Sequence, residues 1–241
     1  MAQHDAELRI GTSGYQYDHW KGLFYPEPLP KRSWLAFLSE RFDTVEINNT
    51  FYHLPSGKTF DTWRDTAPAG FRFALKYSRY GSHLKHLKDP QDHVPAFLER
   101  ARRLGDCLGP ILVQLPPSWK IDLGRLAGFL RAAPRRQRWA VEFRNTTWLC
   151  EETYSVLRAS KAALCIHDMI ENHPRAVTAD WVYLRYHGRD GGDYPHQALA
   201  AEAARIREYL ARGLDVFAYF NNDACGYALS NAVDLKRYVG N

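Results

Sequence analysis

Eight short runs of aliphatic, β-branched and aromatic residues recur along the 241-residue chain, and stretches with helical spacing separate them. This alternation constrains the fold more than any other feature. A strand, a helix and another strand in succession imply parallel pairing, because the crossover carries the chain back to start the next strand in the same direction. The runs lie near Leu8–Ser13, Thr44–Asn48, Phe71–Lys76, Ile111–Leu115, Trp139–Phe143, Ala163–His167, Trp181–Tyr186 and Val216–Phe220. Helical patterns fall near Ser33–Arg41, Lys58–Thr66, Asp92–Leu104, Leu123–Ala132, Glu151–Ala159, Ala198–Arg212 and Ala224–Tyr238. Asp92 and Asp122 read as helix starts, and Gly105 and Gly213 as helix stops. The sixth crossover, Met169 to Asp180, contains His173-Pro174 and reads as loop with at most one turn.

Eight strands at roughly 30 residues per unit fit a closed barrel of βα repeats. An open sheet would usually carry a glycine-rich phosphate turn, G-x-G-x-x-G, after its first strand. Here that strand ends Gly11-Thr12-Ser13-Gly14. The expected fold class is α/β, a single (β/α)8 TIM-type barrel with long inserts after strand 1 (Gly14 to Arg32) and strand 2 (Asn49 to Gly57). Residues 1–7 read as an N-terminal tail and residues 8–239 as one domain, with no linker or low-complexity segment between them.

Several function classes are disfavoured early. Met1 to Glu7 is polar and lacks the apolar centre of a signal peptide, and no apolar run approaches a membrane span. Cys107, Cys150, Cys165 and Cys225 are widely spaced without a C-x-x-C pair, which argues against a zinc ribbon or redox dithiol and suits a cytoplasmic protein. There is no G-x-S-x-G elbow, no Walker loop and no nucleotide-cofactor motif. The net charge of +5 suits an anionic substrate or a nucleic acid, but surface arginines alone would account for it.

One six-residue stretch occurs twice. Val45-Glu46-Ile47-Asn48-Asn49-Thr50 is echoed by Val141-Glu142-Phe143-Arg144-Asn145-Thr146. Side chains alternate faces along a strand, so each glutamate points away from its apolar neighbours. If those neighbours pack against helices, both carboxylates face the barrel interior. On the third strand Phe71, Phe73 and Leu75 share one face, which leaves Lys76 on the same interior as Glu46 and Glu142.

Active sites of such barrels sit at the C-terminal ends of the strands. Every strand exit here is polar or charged. The exits present Ser13 with Trp20 beyond it, Asn48 and Tyr52, Arg79 and His83 beyond Lys76, Gln114, Arg144 and Trp148, Asp168, Arg185 and His187, and Tyr219, Asn221 and Asn222. Glu46, Glu142 and Lys76 are the candidate catalytic groups, and the others are candidate substrate ligands. Two carboxylates flanking one bond could act as acid and base, at separations of roughly 5–9.5 Å if the bond is glycosidic. A buried ion network that merely closes the barrel is the structural alternative. A divalent metal is open as a cofactor: Glu46, Glu142, His167, Asp168, His187 and Asp223 are suitable ligands, though without H-x-H or H-E-x-x-H spacing. Arg144, Arg185 and Arg189 offer forked donors to phosphate or carboxylate. Arg79, His83, Lys85, His86 and Lys88 form a basic segment. Trp20, Tyr52, Trp148 and Tyr194 could stack on a ring or pack the inserts onto the rim. Arg131 to Arg138 reads as a solvated face at the opposite end.

These motifs resemble a known family. Ile10-Gly11-Thr12-Ser13-Gly14, Trp20-Lys21-Gly22 with Phe24-Tyr25-Pro26, Val45-Glu46-Ile47-Asn48 with Thr50-Phe51-Tyr52, Gln114-Leu115-Pro116-Pro117, Glu142-Phe143-Arg144 with Trp148, Tyr183 with Arg185 and His187-Gly188, and Tyr219-Phe220-Asn221-Asn222-Asp223 with Gly226-Tyr227-Ala228 are similar to those of the DUF72 (YecE-like) family, from about Leu8 to Val239. Tyr15 stands where a tryptophan is common there, and Asn145 where a histidine is common. The resemblance implies a TIM-type barrel and supplies no reaction. The expectation is an enzyme with a carboxylate-based or metal-assisted site, performing hydrolysis, lyase chemistry or isomerisation on a small anionic substrate such as a phosphorylated sugar or nucleotide-derived compound. The alternative is a non-catalytic nucleic-acid-binding barrel.

Overall fold

Each of the eight runs forms a strand in the computed structural model, which describes residues 6–240. Most of the expected tail, residues 1–5, lies outside the described residues, as does residue 241. The strands are β1 (Leu8–Ser13), β2 (Thr44–Ile47), β3 (Arg72–Lys76), β4 (Leu108–Gln114), β5 (Trp139–Glu142), β6 (Ala163–His167), β7 (Trp181–Tyr186) and β8 (Asp215–Phe220). They pair in parallel in sequence order, and β8 closes on β1. The helices are α1 (Trp34–Ser39), α2 (Asn49–Tyr52), α3 (Gly57–Thr66), α4 (Pro90–Ala101), α5 (Leu123–Ala132), α6 (Glu151–Ala159), α7 (His196–Ala211) and α8 (Tyr227–Gly240). Among the described residues no helix joins β6 to β7, as the Pro-containing segment suggests.

Local chemistry sets the helix ends. The Asp122 side chain accepts the Arg125 N–H at 2.9 Å and caps α5. Helix α4 starts two residues earlier than Asp92 suggests, because Pro90 needs no N–H partner in a first turn and its ring presets φ; Asp92 sits inside that turn. Helix α2 follows β2 at once and was not expected from the sequence.

Two apolar shells hold the barrel. The outer shell lies between strands and helices and takes Val45, Ile47, Phe73, Leu75, Val113, Val141 and Phe143. The inner shell fills the barrel with Ala74, Leu112, Ala140, Ala163, Cys165, Trp181, Tyr183, Phe217 and Tyr219. Bulky rings come from β7 and β8, and small residues face them from β3, β5 and β6. The interior therefore rises on β7 in steps of two, from Trp181 through Tyr183 to Arg185, and turns from apolar to ionic on the way. At the opposite end Arg138 departs from the expected solvated face. It pairs with Asp215 and with Glu7 (3.6 Å), and lies over the Trp181 and Phe217 rings at 5.8 and 5.3 Å. That cation plugs the strand-entry end.

Candidate functional site

The period of two along each strand delivers Glu46, Lys76, Glu142 and Arg185 to one level of the interior. Ser13 pairs in register with Glu46, Gln114 with Glu142, and His167 with Arg185. Arg185 is fully buried and binds both glutamates. Its Nη1 donates to Glu142 Oε2 at 2.6 Å and its Nη2 to Glu46 Oε1 at 2.8 Å. Glu46 also accepts from the Tyr183 hydroxyl at 2.6 Å and from Ser13 Oγ. Glu142 pairs with Arg144 Nε as well. Asn48 Nδ2 donates to Ser13 Oγ at 2.9 Å, which completes the cluster.

Both expected acid–base groups, Glu46 and Glu142, are bound by Arg185. The two carboxylates flank a guanidinium, so the space between them is filled rather than left for a scissile bond. Neither is exposed, and neither lines the cavity above. Burial would raise the Glu142 carboxyl, but Arg185 and Arg144 more than offset it and hold the group well below the usual carboxylate range. A carboxylate paired with two guanidiniums is well placed to anchor them.

Above the cluster opens a cavity of about 880 Å³. Of the residues expected at the site it is lined by Asn48, Tyr52, Lys76, Arg79, His83, Gln114, Arg144, Arg185, His187 and Asn221. Its other walls include Tyr15, Gln16, Tyr17, Phe51, Trp63 and Met169. Four lining side chains are cationic, and none of the described residues lining it is acidic. Tyr52 stands on α2 at 75% exposure and forms part of the rim.

Arg79 is exposed and has no paired carboxylate among the described residues; Lys76 is the buried cation of the cavity that has none either. Its side chain is buried to 9% exposure, and its ammonium lies 4.4 Å from the Phe51 ring centroid. Among the described residues its Nζ makes no hydrogen bond or ion pair. Burial, then Arg185, pushes its pKa down to about 8, and Glu142 and Glu46 offset only part of this. Burial together with Lys76 and Arg79 lowers His83 to about 4, so its ring is neutral near pH 7.

His187 connects the cavity to Asp168. Arg144 Nη2 lies 3.1 Å from His187 Nε2 and Arg185 Nη1 3.4 Å from it. A guanidinium only donates, so Nε2 accepts and the proton sits on Nδ1, 3.2 Å from Asp168 Oδ1. Asp168 itself lies behind the cavity wall. It accepts the backbone N–H groups of His187 at 2.9 Å and Gly188 at 3.2 Å, and it bonds to the Tyr194 hydroxyl. Burial opposes its charge, but these donors prevail and bring it to about 2.

Four expected ligands lie outside the cavity lining and pair within the protein. Trp20 is buried and donates to Asp223 Oδ1 at 2.7 Å, tying the segment after β1 to the end of β8. Trp148 is buried against Phe143, with centroids 4.9 Å apart, and donates to the Trp119 carbonyl. Tyr219 lies lower in the barrel, where its hydroxyl meets Thr44 Oγ1 at 2.7 Å. Asn222 donates to the Gly192 carbonyl and to Asn231 Oδ1. Large rings at strand exits pack inward where loop segments cover them, and the sequence does not reveal that cover. Ser13 is buried beneath Arg185 and does not line the cavity. The sequence reading missed Trp63 and Met169. Trp63 is indistinguishable there from the apolar face of α3, whereas Met169, right after His167-Asp168, follows a strand exit and could have been included.

The candidate metal ligands are dispersed. Glu46 and Glu142 are taken by Arg185. His167 Nε2 binds the Phe143 carbonyl at 2.8 Å, and Asp223 faces Trp20 and His19. Among the described residues no group of three or more acidic, histidine or cysteine side chains could hold a metal ion. No helix among them is long and apolar enough to cross a membrane.

Comparisons with known proteins cover the whole barrel. The UPF0759 protein YunF of Bacillus subtilis (strain 168) is 25% identical over 266 residues, spanning 95% of this chain and 93% of that protein. The crystal structure of a DUF72 family protein from Thermotoga maritima MSB8 superposes with a TM-score of 0.81 at 27% identity, covering 98% of this chain and all of the other. A DUF72 family protein from Enterococcus faecalis V583 gives 0.80 at 20% identity, with 99% of each chain covered. The model of the DUF72 family, described as proteins of unknown function, matches residues 9–241, and the chain belongs to that family.

Proposed function

We propose that the protein is an enzyme acting on a small organic anion held at the C-terminal mouth of the barrel. The observation that carries this reading is a cavity lined by Lys76, Arg79, Arg144 and Arg185 with no lining carboxylate among the described residues. Its volume suits a metabolite-sized ligand. Guanidiniums bind phosphate or carboxylate through paired donors, and the low-dielectric walls strengthen each contact. Arg144 and Arg185 are pre-positioned by Glu142 and Glu46, so little ordering remains to be done when the anion arrives. Asn48, Gln114 and Asn221 supply neutral hydrogen bonds that would orient the rest of the substrate. Lys76 is the reactive group in this reading, and the glutamates hold the arginines.

Calorimetric titration with inorganic phosphate and with short dicarboxylates tests it. Saturable binding of one anion per chain is expected. Arg79→Ala and Arg144→Gln should each weaken it by roughly 10-fold or more, as loss of a charge-assisted hydrogen bond does. If no anion binds at millimolar concentration, the reading is wrong. Tight binding of single-stranded DNA with a steep salt slope would replace it with the nucleic-acid-binding alternative.

A further inference from the structure

Anion binding alone does not account for Lys76. Arginines already supply permanent charge to the cavity, and a lysine kept only as a cation would be better placed beside a carboxylate. Instead its side chain is sunk against the Phe51 ring, its Nζ has no partner among the described residues, and it faces the cavity. We propose that Lys76 is a nucleophile that forms an imine, and that the substrate class is a small acid bearing an aldehyde or keto group. This inference rests on the anion-binding reading: Arg144 holds the acid group and brings the carbonyl carbon to Nζ.

The surroundings suit each step. A lysine desolvated beside other cations is available as the neutral amine near physiological pH. With its pKa at about 8, roughly a tenth of Lys76 is unprotonated at pH 7. Its lone pair forms the C–N bond while the carbonyl π pair moves to oxygen. The proton shed by nitrogen goes to that oxygen and gives a carbinolamine. His83 lines the same cavity with a neutral ring and can carry this proton. A second proton then reaches the hydroxyl, which leaves as water as the nitrogen lone pair closes the C=N bond. One water is released per iminium formed, and no oxidant or reductant takes part. Gln114 stands on β4, the strand paired with the Lys76 end of β3, and can donate to the carbonyl oxygen during attack. The iminium brings positive charge to a position that disfavours the ammonium, and the acid group of the substrate itself offsets that charge once it is bound.

Trapping tests the inference on the intact chain. Glyoxylate or pyruvate is added with sodium cyanoborohydride, which reduces an iminium to a stable secondary amine, and modified lysines are mapped by peptide mass spectrometry. The expected result is labelling of Lys76 at least ten times faster than of any exposed lysine. Arg144→Gln should slow labelling by glyoxylate about ten-fold more than it slows labelling by acetaldehyde, which has no acid group. Lys76→Arg should abolish labelling at this position while the circular dichroism spectrum stays the same. The wild-type map alone decides the matter should that variant fail to fold. Lys76 reacting no faster than surface lysines would overturn the inference. If phosphate still binds calorimetrically in that case, imine chemistry fails alone and the anion site stands; if neither occurs, both readings fall.

Discussion

A buried lysine ammonium beside two guanidiniums, with no carboxylate paired to it among the described residues, opposes folding at neutral pH. The amine of Lys76 titrates at 10.5 in the unfolded chain and at about 8 in the fold. Between these values the unfolded chain binds more protons, so stability falls as pH drops through that window and the full penalty is present at pH 7. Lys76→Met should therefore raise the thermal midpoint at pH 7, by a free energy of up to roughly 3 kcal/mol. The gain should shrink as the pH approaches 10.5. Thermal denaturation at pH 7 and pH 10 measures both. An unchanged or lowered midpoint at pH 7 would mean that the fold compensates the ammonium after all. A residue that costs stability and is nevertheless held in place is the pattern expected of a functional group. The inward direction of Lys76 was legible in the sequence, because Phe71, Phe73 and Leu75 fix the phase of its strand. The lack of a partner was not legible, because it depends on where Arg185 ends.

At the scale of elements, the polar cluster depends on how closely β1 and β2 approach. A Cβ added at Gly11 would lie 2.4 Å from the Thr44 carbonyl oxygen, a backbone atom that cannot swing away. Gly11→Ala should push the two strands apart where Ser13 pairs with Glu46, and destabilise the protein by about 1–3 kcal/mol or more. Urea denaturation gives that number, and phosphate titration of the same variant should show weakened binding. Full stability in Gly11→Ala would show that the seam can relax. Element type was readable for the eight strands and for most helices, since each carries its own period. Helix α2 is a single turn and too short to show one. The start of α4 turned on Pro90, whose geometry outweighed the Asp92 signal.

For the whole molecule, acid is the expected route to unfolding. Burial lowers both His83 and His167 to about 4 from 6.5, so the unfolded chain takes up their protons first. Their neutral forms are fully accommodated above pH 6.5, and the associated stability is lost as pH falls from 6.5 toward 4. Below that, Asp168, held at about 2 against 3.8, and Glu142, depressed further from 4.5, extend the loss, because folding keeps them ionised while the unfolded chain protonates. The urea midpoint should be level between pH 6.5 and about 8, rise above that as Lys76 loses its proton, decline from 6.5 to 4, and decline again below 4.5. His167→Asn should remove part of the first decline. A flat profile down to pH 4 would contradict the burial of these rings.

The sequence by itself determined the barrel and the inward phase of its polar residues. Both follow from local periodicity: alternation every second residue sets which face a side chain takes, and eight strand–helix units leave little choice of closure. Glu46, Lys76 and Glu142 are assigned to one interior on those grounds, and Arg185 only to a strand exit. Only the tertiary structure decided how their charges are shared. Arg185 reaches across the barrel to bind two carboxylates from strands far apart in the chain, and Lys76 is left without a paired carboxylate among the described residues. Such pairing depends on side-chain length, the height of each residue in the barrel and what lies beneath it. It is a property of distances between remote segments, and no pattern confined to one segment encodes it.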